Sequence, residues 1–157
     1  MSKLFKVFVY GTLKSGQPNH HWFSKDGGYY KFLFNATTLI KYPLIIASQY
    51  NIPFLLYSPG HGKNVKGEVY EVDETVLANL DILEDHPNWY QRQLEDVYYD
   101  NDENKKDKVW VYFIKKFKSE LLEKDTFECY DSKGAHGLKY VERYQRSAGD
   151  NYKNEIR

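Results

Sequence analysis

The sequence predicts an α+β fold: a small mixed sheet, curled or closed into a β-barrel-like shape, with peripheral helices. Three observations carry that prediction. Segments with strand character outnumber helical ones and follow one another with few crossover helices. The composition is strongly aromatic, with 15 Tyr, 9 Phe and 3 Trp, which suits a strand-rich core. A chain of 157 residues without repeat, linker or shift in composition can bury one core without disulfides or a structural metal.

From the N-terminus, residues 4–10 (LFKVFVY) predict a strand with Phe5, Val7 and Val9 on one face and Phe8 and Tyr10 on the other. Gly11 ends it, and Gly11-Thr12-Leu13-Lys14-Ser15-Gly16-Gln17-Pro18 predicts a turn-rich loop before a short helix near 19–24. Strands are predicted at 30–39, 44–47, 54–56 and 65–72, the last two separated by the turn-forming Ser58-Pro59-Gly60-His61-Gly62-Lys63-Asn64. Asn51-Ile52-Pro53-Phe54 predicts a sharp interruption, with Ile52–Pro53 a candidate cis peptide. An amphipathic helix follows over 73–87. Residues 93–99 and 108–117 predict a hairpin, and the charged connection Asp100-Asn101-Asp102-Glu103-Asn104-Lys105-Lys106-Asp107 predicts a solvated loop. A second short helix is expected at 119–123 and irregular chain at 126–140. The whole reads as one domain over 1–143 with a flexible tail at 144–157.

Charge excludes several classes of partner. Lys and Arg balance Asp and Glu at 22 each, so no net field favours nucleic acid or an anionic membrane. The opening Met1-Ser2-Lys3-Leu4-Phe5-Lys6 lacks the apolar run of a signal peptide, and no stretch is long and apolar enough to span a membrane. Cys129 is the one cysteine, which excludes an intramolecular disulfide and fits a reducing, cytoplasmic setting. With no His-rich or Lys-rich sequence around it, the thiol is expected to be partly buried and inert. A neutral chain without an obvious exposed apolar stripe is expected to be a monomer.

Glu84 is the residue that breaks a pattern. In the helix over 73–87, Asp73 or Thr75 caps the start and Pro87 forces a stop. At about 100° per residue, Val76, Leu80 and Leu83 form one stripe with Leu77 at its edge. Glu84 falls on that stripe between Leu80 and Leu77, whereas Asp81 and Asp85 turn toward the polar side. A carboxylate aimed at a core is costly unless partnered, and the last turn of a helix disfavours negative charge. Both effects push its pKa upward, toward the range useful for moving protons near neutral pH. A general acid/base fits this pattern. So does a glutamate that curls back to solvent or joins a structural ion pair.

The junction Val9-Tyr10-Gly11-Thr12-Leu13 is the second candidate. A strand ending in Gly lets a ligand approach the backbone, and the following N–H groups can form an anion-holding nest; a plain β-turn satisfies the same residues. Gly11 and Gly16 have the separation of a phosphate loop, but Gln17-Pro18 stands where Lys and Ser/Thr are required, so nucleotide binding is excluded. His20-His21 are adjacent and His61, His86 and His136 are scattered, so no metal is expected. No nucleophile elbow is present.

Val9-Tyr10-Gly11-Thr12-Leu13-Lys14 followed by Gly16-Gln17-Pro18-Asn19-His20 resembles the opening of the γ-glutamylamine cyclotransferases, within the wider γ-glutamyl cyclotransferase-like group. The similarity continues in order through Tyr42-Pro43-Leu44, Asn51-Ile52-Pro53, Gly67-Glu68-Val69-Tyr70 and Val72-Asp73-Glu74. It resumes at Leu80-Asp81 with Glu84, at Tyr90-Gln91-Arg92, at Tyr130-Asp131-Ser132 and at His136-Gly137-Leu138. Residues 100–107 and the chain beyond Arg143 fall outside it. The resemblance implies a compact β-barrel-like mixed fold, no cofactor, and a small-molecule γ-glutamyl substrate. The implied reaction frees an amine from a γ-glutamylamine, such as γ-glutamyl-ε-lysine, and leaves 5-oxoproline. Glu84 is then the catalytic acid/base, Tyr10, Gly11, Thr12 and Leu13 bind substrate, and Tyr90, just past the helix, shapes the cavity. Two alternatives stay open. One is the same cyclisation on a γ-glutamyl amino acid or glutathione, whose leaving side carries an α-carboxylate that a basic pocket residue would meet. The other is a non-catalytic member that binds a ligand or a partner protein.

Overall fold

The computed structural model of the chain describes residues 3–131, 140–141 and 155–157. In chain order these form β1 (Phe5–Val9), a 3-10 helix at His20–Ser24, β2 (Tyr30–Thr38), β3 (Leu44–Ala47), β4 (Ile52–Leu55), β5 (Lys66–Val72), α1 (Glu74–Leu83), β6 (Gln91–Tyr99), β7 (Asp102–Phe113) and a 3-10 helix at Ser119–Glu123. Five strands close a barrel in the order β1-β5-β2-β6-β7. Its neighbours are antiparallel except β1 and β7, which meet in parallel at Val7 and Trp110 and complete the ring. The hairpin β3–β4 is separate and is tied to the barrel just past β7. There the Ile114 N–H donates to Leu55 O and the Tyr57 N–H to Ile114 O, each at 2.9 Å. The α+β class with a barrel-like sheet and peripheral helices is therefore the architecture the chain adopts.

Period-2 alternation on the strands builds two apolar layers. Phe8, Ala36, Val69, Val97, Val109, Val111 and Phe113 are fully buried together, a set drawn from all five barrel strands, so they fill the barrel. The opposite faces, through Val7, Val9, Tyr70, Val72 and Tyr112, pack with Val76, Leu77 and Leu80 of α1 and with Ile45 and Phe54 of the hairpin. The predicted split of β1, with Val7 and Val9 on one side and Phe8 and Tyr10 on the other, is the split observed. Because both faces of β1 are buried, its register is fixed: a one-residue slip would exchange the two layers.

α1 starts where the sequence places it. The Asp73 carboxylate accepts the N–H of Val76 at 2.9 Å and that of Tyr29 at 2.9 Å, and these bonds hold its carboxyl below the usual range. The far end is a Schellman turn. The Asp85 N–H donates to Ile82 O at 3.2 Å, the His86 N–H to Asp81 O at 2.9 Å, and Asp85 takes the left-handed conformation at φ 51°. Glu84 is thereby fixed as the C-cap, the last residue whose direction the helix sets.

Several expectations change. Residues 102–107 are not a solvated loop: they belong to β7, and the hairpin turns at Asp100-Asn101. Charge does not forbid a strand when its side chains stand in solvent and meet opposite charges across the ladder. Asp96 and Lys108 face each other and pair at 3.2 Å, and Lys6 pairs with Asp107. The short segment at 52–53 is part of β4 rather than an interruption, with Pro53 opposite Ile46, and the cis peptide is His86–Pro87 instead of Ile52–Pro53. Cys129 is exposed rather than partly buried, and Lys14 Nζ lies 3.4 Å from its sulfur, a contact made across 115 residues of chain that local composition cannot show. Ser132, His136-Gly137-Leu138, the boundary at 143 and residues 144–154 of the expected tail lie outside the described residues. The last three residues are described and are packed. Ile156 is fully buried, its carbonyl accepts the Lys118 N–H at 2.6 Å, and Arg157 donates to Asn88 O at 2.9 Å. Ile156 is an apolar anchor within a polar stretch.

Gly67 shows how tightly β1 is held. A Cβ there would stand 2.4 Å from the Val9 carbonyl oxygen and 2.7 Å from Phe8 Cζ. Glycine normally weakens a strand, so Ala would stabilise an unconstrained position. Here Gly67→Ala is expected to destabilise the protein by about 1–3 kcal/mol, because backbone must move to admit one methyl. Urea unfolding of the two proteins measures it; an unchanged or raised midpoint would contradict the close approach.

Candidate active site

β1 delivers the 10–13 loop to one wall of a pocket. The Tyr10 side chain is buried and its hydroxyl donates to the backbone oxygen of Tyr112 at 2.8 Å, which pins the loop's origin to β7. The carbonyls that follow are all engaged. Gly11 O accepts from the Lys14 N–H at 3.1 Å, Thr12 O from the Asn19 N–H at 2.8 Å, and Leu13 O contacts His20 Nδ1 at 2.9 Å. Asn19 Nδ2 also donates to Thr12 Oγ1 at 2.9 Å. The N–H groups of Gly11, Thr12 and Leu13 make no hydrogen bond to a described backbone carbonyl. A turn whose carbonyls are spent while its amides make no such backbone bond has the donors that an anion-holding nest needs. Lys14, buried despite its charge, extends under the loop, with Nζ bonded to Tyr130 O and close to Cys129 Sγ.

Gly11 has a second role. A Cβ there would meet Pro53 Cγ at 3.0 Å, so glycine lets the loop seat against β4. The Pro53 oxygen in turn accepts the Tyr90 hydroxyl at 3.2 Å, and the Tyr90 ring stacks on Phe54 with centroids 6.1 Å apart. Tyr90 is joined to the end of α1 through its N–H, which donates to Glu84 O at 3.2 Å. Chain topology thus brings the helix end, the β4 edge and the 10–13 loop around one space.

That space is a pocket of about 610 Å³, counted with its open mouth. Every site residue expected from the sequence lines it: Tyr10, Gly11, Thr12, Leu13, Glu84 and Tyr90. Asn19, Ile52, Pro53, Leu83, Trp89, Tyr112 and Tyr140 also line it and were not singled out as site residues. Ile52-Pro53 and Asn19 carried a signal, since both stand within the matched motifs. Trp89, Tyr112 and Tyr140 read in sequence as ordinary core aromatics. Glu84 is half-buried and is the one charged side chain among the described lining residues.

Glu84 leaves its mark on the phenols around it. Burial raises the Tyr10 pKa well above its ordinary value, and the negative charge of Glu84 adds to the rise. Tyr112 is raised for the same first reason, then by its hydrogen bond to Asp81 at 2.6 Å and by the charges of Asp81 and Glu84. Both phenols are therefore neutral hydrogen-bond donors at any pH at which the protein works. Among the described residues, no group of three or more His, Cys, Asp and Glu side chains comes together to hold a metal ion.

A model of the family described as gamma-glutamyl cyclotransferase, AIG2-like matches residues 7–132 of this chain. A putative gamma-glutamylcyclotransferase of Drosophila melanogaster is 47% identical over 126 residues, covering 80% of this chain and 79% of the relative. A gamma-glutamylaminecyclotransferase C of Danio rerio is 46% identical over 144 residues, covering 89% of this chain and 95% of that protein. Among solved structures, the crystal structure of an AIG2-like protein from Mus musculus superposes with a TM-score of 0.85 at 42% identity, covering 91% of this chain and 99% of that one.

The phenols give a pH prediction. Tyr10 and Tyr112 hold their protons more tightly when folded than when unfolded, so the stability they contribute is complete below about pH 10 and is lost as pH rises above it. Spectrophotometric titration near 295 nm is expected to show these two phenolates appearing only as the protein unfolds. Tyr10→Phe and Tyr112→Phe should each remove one from the late-titrating group. Ionisation of either in folded protein near pH 10 would contradict the assigned burial.

Proposed function

This chain belongs to the gamma-glutamyl cyclotransferase, AIG2-like family, and from that premise we propose that it is a γ-glutamylamine cyclotransferase in which Glu84 is the general acid/base and the 10–13 loop holds the substrate. The observation that carries the site assignment is the pairing in one pocket of a single described carboxylate, Glu84, with a loop offering unspent amide N–H groups.

The reaction is intramolecular. The α-amino nitrogen of the γ-glutamyl group attacks its own γ-carbonyl carbon, a new N–C bond closes the five-membered ring, and the bond from that carbon to the leaving nitrogen breaks. The pocket has to hold a curled conformer and move protons, and most of the advantage comes from that positioning. Glu84 takes one proton from the substrate ammonium to free the attacking amine and a second as the ring closes. It hands each in turn to the departing nitrogen, which leaves as an ammonium, so the carboxylate is regenerated and no water is consumed. The N–H groups of Gly11, Thr12 and Leu13 bind substrate oxygen atoms, and Tyr90 helps shape the cavity.

The lining also favours γ-glutamylamines over γ-glutamyl amino acids or glutathione. A γ-glutamyl amino acid carries its carboxylate on the carbon beside the scissile nitrogen, whereas that of γ-glutamyl-ε-lysine lies at the far end of the lysine side chain. No Lys or Arg is among the described lining residues to meet the nearer one. Two further properties belong to this proposal: the enzyme acts on its small-molecule substrate as a monomer, and it works in the cytoplasm, where a free thiol such as Cys129 stays reduced.

Incubation with γ-glutamyl-ε-lysine, a γ-glutamyl amino acid and glutathione, with 5-oxoproline measured, tests the substrate class. Only the first is expected to turn over rapidly; preference for glutathione would reverse the reading, and no 5-oxoproline from any would favour a binding protein. Glu84→Gln is expected to lower turnover by at least about 10²-fold while 5-oxoproline still binds. Near-normal turnover in folded Glu84→Gln protein would remove Glu84 from the mechanism. Thr12→Val loses the bond from Asn19 and should weaken 5-oxoproline binding by about fivefold, read by calorimetry.

A further inference from the structure

Asp81 is one helical turn before Glu84, on the side of α1 that sequence periodicity assigns to solvent, yet its carboxylate is mostly shielded. Arg92 of β6 grips it with both arms of the guanidinium, Nε to Oδ1 at 2.8 Å and Nη2 to Oδ2 at 3.1 Å. The Tyr112 hydroxyl of β7 donates to the same Oδ1 at 2.6 Å. The Asp81 carbonyl accepts the His86 N–H at 2.9 Å, which closes the turn immediately beyond Glu84, and His86 Nδ1 accepts the Arg92 N–H at 3.2 Å. The Arg92 guanidinium also lies over the Trp110 ring, with Cζ 4.4 Å from its centroid.

We propose that Asp81 is the positioning residue of this site, locking the end of α1 that carries Glu84 to the strand whose Tyr112 lines the pocket and anchors Tyr10. The chain of contacts is short. Asp81 holds the Tyr112 side chain, the Tyr112 backbone oxygen holds the Tyr10 hydroxyl, and Tyr10 begins the substrate loop. Glu84 and the 10–13 loop are more than 70 residues apart in the chain, so their spacing depends on such cross-ties rather than on local backbone. A bidentate guanidinium–carboxylate pair also has a fixed geometry, which a lysine or a lone hydroxyl would not supply.

The pair has an electrostatic consequence as well. The ionisable groups around Glu84 are Asp81, Asp85, His86 and Tyr90 on α1 and its exit, Tyr10 just past β1, Tyr112 on β7, Arg92 on β6 through Asp81, and Tyr140. Residues three apart on a helix are neighbours, so an unpaired Asp81 would oppose the charged form of Glu84. Arg92 cancels that opposition.

The inference rests on the reading of Glu84 as the base, and the test separates the two. The experiment measures kcat and KM for γ-glutamyl-ε-lysine against pH in wild type, Asp81→Asn, Arg92→Gln and the double variant, with near-UV circular dichroism to establish folding. Both single variants are expected to lose kcat on the order of tenfold, with KM changed less, because the base is misplaced rather than the substrate lost. The acid limb of kcat/KM should move in opposite directions by about half a unit. It moves to lower pH in Asp81→Asn, where Arg92 is left uncompensated, and to higher pH in Arg92→Gln, where Asp81 is. The double variant should return toward the wild-type limb. A merely structural role would lower the thermal midpoint and leave both limbs in place, which overturns the proposal, as do wild-type kcat values. If Asp81→Asn fails to fold, the direction of the Arg92→Gln limb decides alone. Glu84→Gln run beside them keeps the readings apart. Full activity there removes Glu84 as the base, whereas an inactive Glu84→Gln with wild-type behaviour in the other variants removes Asp81 only.

Discussion

The structure depends on β1 being held along both edges and both faces. It pairs antiparallel with β5 along its whole length and parallel with β7 at one point, and that single parallel contact closes the barrel. Its side chains alternate between two buried layers, and Gly67 lets its last carbonyl approach β5 without a side chain between them. A strand so constrained has nowhere to move, and the 10–13 loop begins where it ends. A loop attached to an immobile strand inherits that strand's precision, which is how binding groups on irregular chain stay in place. Every other part of the site is arranged relative to this fixed origin: Pro53 seats against Gly11, and Tyr112 receives the Tyr10 hydroxyl.

The helix end answers a different constraint, that of holding negative charge where the helix dipole opposes it. Three carboxylates, Asp81, Glu84 and Asp85, crowd the last turn and its exit. Their mutual repulsion would favour fraying if nothing else fixed the backbone. The Schellman turn satisfies the final carbonyls, and Arg92 neutralises one of the three charges with a geometry that also fixes direction. The charge left toward the pocket is that of Glu84. An arrangement that costs stability at a helix terminus therefore makes chemical sense only in combination with its neighbours on β6 and β7, which is a reason to regard these strands as part of the site's support.

Much of this was legible in the sequence, and the boundary of legibility follows range of interaction. The period of 3.6 identified α1 and put Glu84 on its inner stripe, and the period of 2 divided β1 correctly between two layers. Caps were legible because Asp73 acts on residues beside it. Residues 102–107 were misjudged because charge was weighed without its cross-strand partners: Asp107 meets Lys6 from the other end of the chain. Asp81 was assigned to solvent by the same local logic, and its partners Arg92 and Tyr112 lie 11 and 31 residues away. Cys129 lacked a basic setting in sequence and gained Lys14 in space. These three misses concern polar side chains whose partners are remote, since periodicity reports which face a residue occupies and says nothing of what stands opposite.

The apolar character of the lining bears on the proton transfer itself. The α-amine of a free γ-glutamyl substrate is an ammonium near neutral pH, and an ammonium cannot attack a carbonyl. In water the ammonium and a carboxylate are both well solvated and the proton stays on nitrogen. Within a pocket walled by Trp89, Leu83, Ile52 and phenols that stay protonated, both charges lose solvation. Moving the proton from nitrogen to Glu84 then discharges two ions at once and yields a neutral amine beside a neutral acid, which a medium of low polarity favours. Attraction between the two ions resists this, and it grows in the same medium, so the balance depends on how closely they are allowed to pair. A base held at a fixed distance by its backbone, rather than free to close on the ammonium, tilts that balance toward transfer. On the proposed role of Glu84, its rigid placement serves the proton transfer, and the cross-ties between α1, β6 and β7 supply it.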